Sequence, residues 1–174
     1  HGTSVIGTIL ADDNGAGGVG VAFDAQGYGI RIDLHGNGGT LEQIITGYEY
    51  ALSTGLDVMN NSWGSPGAFT DTLKIDFAGS DYIDLRGAMH NLVDSGRDGL
   101  GSNIVFAAGN DRAGGDNVNY HNILNSPYTI AVGALNTDGT YASFSTPGAA
   151  LLVSAGGVSV YTTDRTGTAG YSSG

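Results

Sequence analysis

Apolar positions along this chain follow two patterns, and the change from one to the other outlines the fold. Over residues 4–11, Val5, Ile6, Ile9 and Leu10 recur at helical spacing, with His1 just ahead of them. Residues 41–53 return to that period, with Leu41, Ile44, Ile45, Tyr48 and Leu52 on one face and Thr40 placed to cap the helix. A third helix is predicted from residue 85 to about residue 95, carrying Ala88, Met89, Leu92 and Val93. Between the helices the period disappears. Residues 104–108 and 129–135 are continuous apolar runs of strand length, 57–61 reads as another strand, and 28–34 is strand-like. Strands without alternation are buried on both faces. With helices between them they predict an α/β fold, a mostly parallel sheet covered by helices on both faces in three layers. Ligands in such sheets sit beyond the carboxyl ends of the strands, where Asn61-Ser62-Trp63-Gly64 and Gly109-Asn110 both fall.

Composition narrows the class of function. The 174 residues suit one domain with a real core, and the 31 glycines are scattered without a Gly-X-Y period, which excludes collagen and linker sequence. Six Lys plus Arg against 17 Asp plus Glu give 6 − 17 = −11, a charge that repels phosphate backbones and excludes nucleic acid as an expected partner. No cysteine is present, so disulfides, thiolate metal sites and cysteine nucleophiles are all excluded. No run approaches the roughly 20 apolar residues of a membrane span. A monomer is expected.

The candidate chemistry lies in short strings. His1-Gly2-Thr3 at the head of an apolar helix suits a general base that must approach a hydroxyl closely. Asn110, following the buried run Ile104-Val105-Phe106-Ala107-Ala108-Gly109, suits a donor to a developing oxyanion. Each string is weak by itself, since a histidine at a helix start is more often structural and an asparagine after a strand is often a turn residue. The ordered set is stronger. His1-Gly-Thr-Ser-Val5, Gly18-Val-Gly-Val-Ala22, Asn61-Ser-Trp-Gly64, Gly99-Leu-Gly-Ser102, Ala107-Ala-Gly-Asn110 and Asn125-Ser-Pro-Tyr-Thr-Ile-Ala-Val-Gly133 follow one another as in the subtilisin-like serine proteases, the subtilases. Gly96-Arg-Asp-Gly-Leu-Gly-Ser102, Asn125-Ser-Pro-Tyr128 and Val160-Tyr-Thr-Thr-Asp164 resemble the kexin and furin branch in particular.

That resemblance implies a serine endopeptidase working by a Ser-His-Asp mechanism on a polypeptide, secreted or at the cell surface. His1 would be the base and Asn110 the oxyanion donor. Ser62, Trp63 and Gly64 would pair with an extended substrate through backbone groups, and Ala107, Ala108 and Gly109 would line the first specificity pocket. The chain then reads as the interior part of one catalytic domain. The acid is expected upstream of His1 and Thr-Ser after Gly174, so these 174 residues by themselves are expected to be inactive. Two other readings compete: an inactive subtilase-like binding module, and an esterase using Gly170-Tyr-Ser-Ser-Gly174 as a nucleophile elbow, which lacks the strand and helix such an elbow needs. His35, His90 and His121 have no comparable setting and are read as structural.

The loop Asp12-Asp13-Asn14-Gly15-Ala16-Gly17-Gly18 is a candidate calcium site. Calcium takes hard oxygen ligands, and Asp12, Asn14, Ala16 and Gly18 have the two-residue spacing that turns carbonyls the same way, matching the subtilase loop. The plainer reading is a solvated turn. For specificity, the furin-like branch balances a buried Arg or Lys with carboxylates, whereas Gly67, His121 and Asn37 stand in the corresponding neighbourhoods here. A preference for Leu, Phe, Tyr or Met before the cleaved bond is expected. Entry of Asp71 or Asp116 into the pocket would remove its basis.

Overall fold

A computed structural model describes residues 1–32, 40–65, 67–71 and 82–167. Among these residues four strands form one sheet in the order β1 (Val58–Asn61), β2 (Asn103–Ala107), β3 (Thr129–Leu135) and β4 (Leu151–Gly156), and every neighbouring pair is parallel. Parallel neighbours need a crossover, and between β1 and β2 it contains α3 (Tyr82–Gly99). The first two helices are α1 (Gly2–Leu10) and α2 (Leu41–Thr54). Among the described residues no helix is long and apolar enough to cross a membrane. Contacts gather into two compact units: His1–Ile30 with Ser159–Gly174, and Arg31–Val158.

In the larger unit the helical period selects part of the core: Ile44 and Tyr48 of α2 and Ala88, Met89 and Leu92 of α3 are buried, joined by Ala51 and Leu85, whereas Leu41, Ile45, Leu52 and Val93 are half-buried. Met59, Ile104, Phe106 and Ala131 of the sheet are buried as well. Helix α2 starts where Thr40 Oγ1 accepts the Gln43 N–H at 3.3 Å, and it stops at Gly55, which is left-handed at φ 64°. Burial pushes the Tyr48 hydroxyl well above the usual phenol range.

The Gly96-to-Ser102 string turns α3 into β2. Arg97 and Asp98 are left-handed, Arg97 reaches Asp57 at 2.7 Å, and Ser102 Oγ donates to the Leu56 carbonyl at 2.6 Å. Gly101 has φ 78°, and a Cβ there would run into the Val93 carbonyl. Gly101→Ala should therefore lower stability by about 2 kcal/mol or more, the left-handed penalty plus the clash, read as a lower urea midpoint at unchanged m.

In the smaller unit, Thr162 Oγ1 donates to the Ser4 carbonyl at 2.6 Å and Thr163 Oγ1 to the Thr3 carbonyl at 2.7 Å, tying the Val160-to-Asp164 string to the first turn of α1. Gly7 is buried there, and a Cβ on it would collide with both hydroxyls. Gly20 donates to the Ala11 carbonyl at 2.7 Å, its Cα so close to residues 9–11 that no side chain fits. The two threonines and these glycines thus fix the helix that presents His1.

Two expectations about elements need correction. Residues 28–32 form no strand, because no ladder partner lies beside them among the described residues; 33 and 34 fall outside those residues. Conversely, β4 was not anticipated, since its Leu152 and Val153 are 68% and 51% exposed at the edge of the sheet and carry no buried pattern.

Candidate active site

The register of β1 on β2 pairs Asn61 with Phe106, so the chain leaves both strands side by side at the carboxyl edge of the sheet. There Ser62, Trp63 and Gly64 face Ala107, Ala108, Gly109 and Asn110 across a cavity of about 160 Å³. All six residues expected to bind substrate, together with the expected oxyanion donor, thus line one space.

Each wall has an identifiable support. Asn61 is 1% exposed; its amide donates to the carbonyls of Met59 and Val105, both at 3.3 Å, and its Oδ1 accepts the Trp63 indole N–H at 3.1 Å. The indole meets Phe106 edge-on, with centroids 5.1 Å apart, so Trp63 contributes a ring to the wall as well as backbone. On the opposite side Gly109 is at φ 99°, and its carbonyl accepts the Thr146 N–H while Thr146 Oγ1 accepts the Asp111 N–H, both at 3.1 Å. Thr146 is fully buried and holds the residues flanking Asn110. Asn110 itself is exposed, and among the described residues none accepts from its amide, which is left to donate into the cavity.

The floor removes the basis of the expected preference for Leu, Phe, Tyr or Met, because both acids whose entry would do so are there. Asp71 and Asp116 both line the cavity, and His121, read as structural, lies between them. Asp71 is 1% exposed; its Oδ2 accepts the Ile123 N–H at 2.9 Å, and its Oδ1 faces His121 Nδ1 at 3.6 Å, beyond hydrogen-bond reach. His121 Nε2 meets both Asp116 oxygens, at 3.0 and 3.1 Å. The segment carrying Asp71 docks through the Phe69 N–H, which donates to the Tyr120 carbonyl at 2.9 Å, and through stacking of those two rings at 4.9 Å. No local pattern announces this cluster, because Asp71 and the N–H that fixes it are 52 residues apart. Of the other two histidines, His90 lies against Tyr128 at 5.6 Å between ring centroids, whereas His35, like Asn37 and residues 170–174, falls outside the described residues.

His1 and the 12–18 loop belong to the other unit. His1 is exposed at the N-terminal end of α1, where its carbonyl accepts the Val5 N–H at 3.0 Å. In the loop, Asn14 Oδ1 accepts the Ala16 N–H at 3.1 Å, and Gly15 and Gly17 are left-handed at φ 76° and 74°. Among the described residues no three His, Asp or Glu side chains are grouped to hold a metal. A cation here would depend on one amide oxygen, which keeps a second lone pair, and on backbone carbonyls; that donor set suits calcium and no softer ion.

The carboxyl edge of a parallel sheet is where α/β proteins place ligands, and comparison with known proteins gives this chain a family. The subtilase family matches residues 1–173, and the chain belongs to it. It is 37% identical over 163 residues to subtilisin DY of Bacillus licheniformis, covering 94% of this chain and 53% of that protein. It is also 37% identical over 136 residues to a dibasic-processing endoprotease of Yarrowia lipolytica, covering 78% of this chain and 13% of the relative. A solved protease structure from Pseudoalteromonas arctica PAMC 21717 superposes with TM-score 0.66 at 28% identity, over 88% of this chain and 42% of that one. The chain spans about half or less of the length of these proteins.

Proposed function

We propose that the complete protein is a secreted or cell-surface serine endopeptidase. The observation that carries this is the convergence of Asn110 with the Ser62-to-Gly64 and Ala107-to-Gly109 segments on one cavity in a chain of the subtilase family. An extended polypeptide would add as a strand along residues 62–64, its side chain entering the cavity. His1 would take the proton of the family's serine hydroxyl as that oxygen attacks the peptide carbonyl, then return it to the leaving amine. Asn110 would donate to the carbonyl oxygen as it becomes an oxyanion. The test is labelling of the complete protein by a fluorophosphonate, which forms a stable adduct only on an activated serine. One adduct per chain, lost in His1→Ala, is expected; absence of any adduct in the wild type would favour an inactive binding module.

Calcium at residues 12–18 is the second part of the proposal, with Asn14 Oδ1 and carbonyls of the loop as ligands. An ion that binds only the native state raises stability by mass action, about 2.7 kcal/mol at one hundred times the dissociation constant. The melting temperature of the complete protein should rise between chelator and millimolar calcium, and Asn14→Ala should shrink that rise. Superimposed melting curves in the two media would remove the site.

A further inference from the structure

We infer that Asp71 is a positioning residue for the substrate strand: by tying the loop that follows Gly64 to Ile123, it holds Ser62, Trp63 and Gly64 where an extended peptide can pair with them. The inference rests on the endopeptidase reading above. A segment that has left its strand keeps no ladder partner, so its place must be set by other bonds. Here those bonds form one chain. Thr70 Oγ1 donates its one proton to the Gly67 carbonyl at 2.7 Å and therefore accepts from Ser65 Oγ, 2.6 Å away, which closes the loop between the residue after Gly64 and the residue before Asp71. Asp71 anchors the closed loop. Its Oδ2 accepts the Ile123 N–H at 2.9 Å, and the Ile123 carbonyl in turn accepts the hydroxyl of Thr129, the first residue of β3, at 2.6 Å. The segment leaving β1 is thus tied to β3, with β2 between them.

The docked loop carries strain that only such an anchor holds. Phe69 is left-handed at φ 61°, a geometry disfavoured for a bulky side chain, and its ring is largely exposed, so little burial offsets the cost. Its N–H donates to the Tyr120 carbonyl, three residues from the Ile123 N–H that Asp71 holds. The other oxygen of Asp71 adds nothing to the anchor: Oδ1 is buried, has no hydrogen-bond partner and stands 3.6 Å from His121 Nδ1. The role therefore resides in Oδ2, and an amide oxygen would reproduce it. Without the anchor the closed loop can shift as a unit, and a shift of about 1 Å at residues 62–64 takes backbone groups out of hydrogen-bond reach of a peptide laid along them.

The test compares two substrates of the complete protein, the methyl esters of acetyl-alanine and of acetylated tetra-alanine. The same methyl side chain enters the cavity in both, whereas only the longer ester runs along residues 62–64, so the ratio of their kcat/KM reads the strand and not the pocket. Asp71→Ala should lower the long-to-short ratio about tenfold, the equivalent of one or two backbone hydrogen bonds, mainly through a raised KM for the longer ester. Asp71→Asn, which keeps the acceptor for the Ile123 N–H, should return the ratio to within about threefold of wild type. Thr70→Val opens the loop at an exposed position and should lower the ratio in the same direction, which carries the test should Asp71→Ala fail to fold. An unaltered ratio in folded Asp71→Ala or in Thr70→Val would overturn the inference, as would equal losses on both esters, the mark of a role confined to stability or to the pocket. Failure of the endopeptidase reading looks different: wild type hydrolyses neither ester and forms no fluorophosphonate adduct.

Discussion

Replacing His1 by Ala in the complete enzyme should lower kcat by about six orders of magnitude while changing KM little. The magnitude is the one known for loss of the base in a subtilisin, and it belongs to that relative, not to the geometry described here. The direction follows from the structure. His1 precedes a helix held by Thr162 and Thr163, its ring is exposed, and nothing in its own unit consumes either ring nitrogen among the described residues. A base that acts only while a proton moves contributes to the transition state and not to substrate binding, so the loss should fall on kcat. The measurement is steady-state hydrolysis of a chromogenic peptide, with circular dichroism to establish that the variant folds. A folded His1→Ala enzyme within tenfold of wild type would exclude His1 as the base.

Much of the fold was legible because its signals are local. Helix α2 runs one residue beyond the expected 41–53, since Thr40 and Gly55 mark its ends chemically. The strands β1 to β3 lie within one residue of the apolar runs that predicted them. What could not be read depends on distant partners. Helix α3 begins at Tyr82, ahead of the expected residue 85, and its regular backbone stops before Gly96, close to the expected residue 95; the left-handed Arg97 and Asp98 beyond it are held by Arg97 on Asp57, a distant contact that no local pattern shows. Residues 28–32 have strand composition but no neighbouring strand among the described residues. The same division holds at the site. Ser62, Trp63, Gly64, Ala108, Gly109 and Asn110 follow strands directly and Ala107 ends β2, so all seven lie at the carboxyl edge, while their roles rest on the family resemblance. Asp71, Asp116 and His121 come from loops, and only the docking of the 67–71 segment on residues 120–123 brings them together. Asn61 belongs to the Asn61-to-Gly64 string that the sequence singles out, but its locking of the Trp63 indole has no local signal, because asparagine at a strand end is ordinary turn composition.

Asn110→Ala should lower kcat by two to three orders of magnitude, about 2.7–4 kcal/mol of transition-state stabilisation, again a size taken from a subtilisin donor. Two features of the loop make the effect catalytic and not structural. The Asn110 side chain is exposed and has no partner among the described residues, so its removal leaves no buried polar group unpaired and the melting temperature should stay within a degree or two. The backbone around it is fixed independently, by Gly109 at φ 99° and by the two hydrogen bonds of Thr146, so the amide needs no rearrangement to meet a charge that develops above the cavity. A preorganised donor of this kind is stronger against an oxyanion than against the neutral carbonyl it replaces, and KM should therefore hardly move. Gly109→Ala offers the complementary result. It forces a side chain into left-handed geometry against Thr146 Oγ1, 3.1 Å from where its Cβ would stand, and should lower stability and kcat together by displacing the amide. An Asn110→Ala enzyme that keeps wild-type kcat, or one that loses activity only through a raised KM, would remove Asn110 from the oxyanion role.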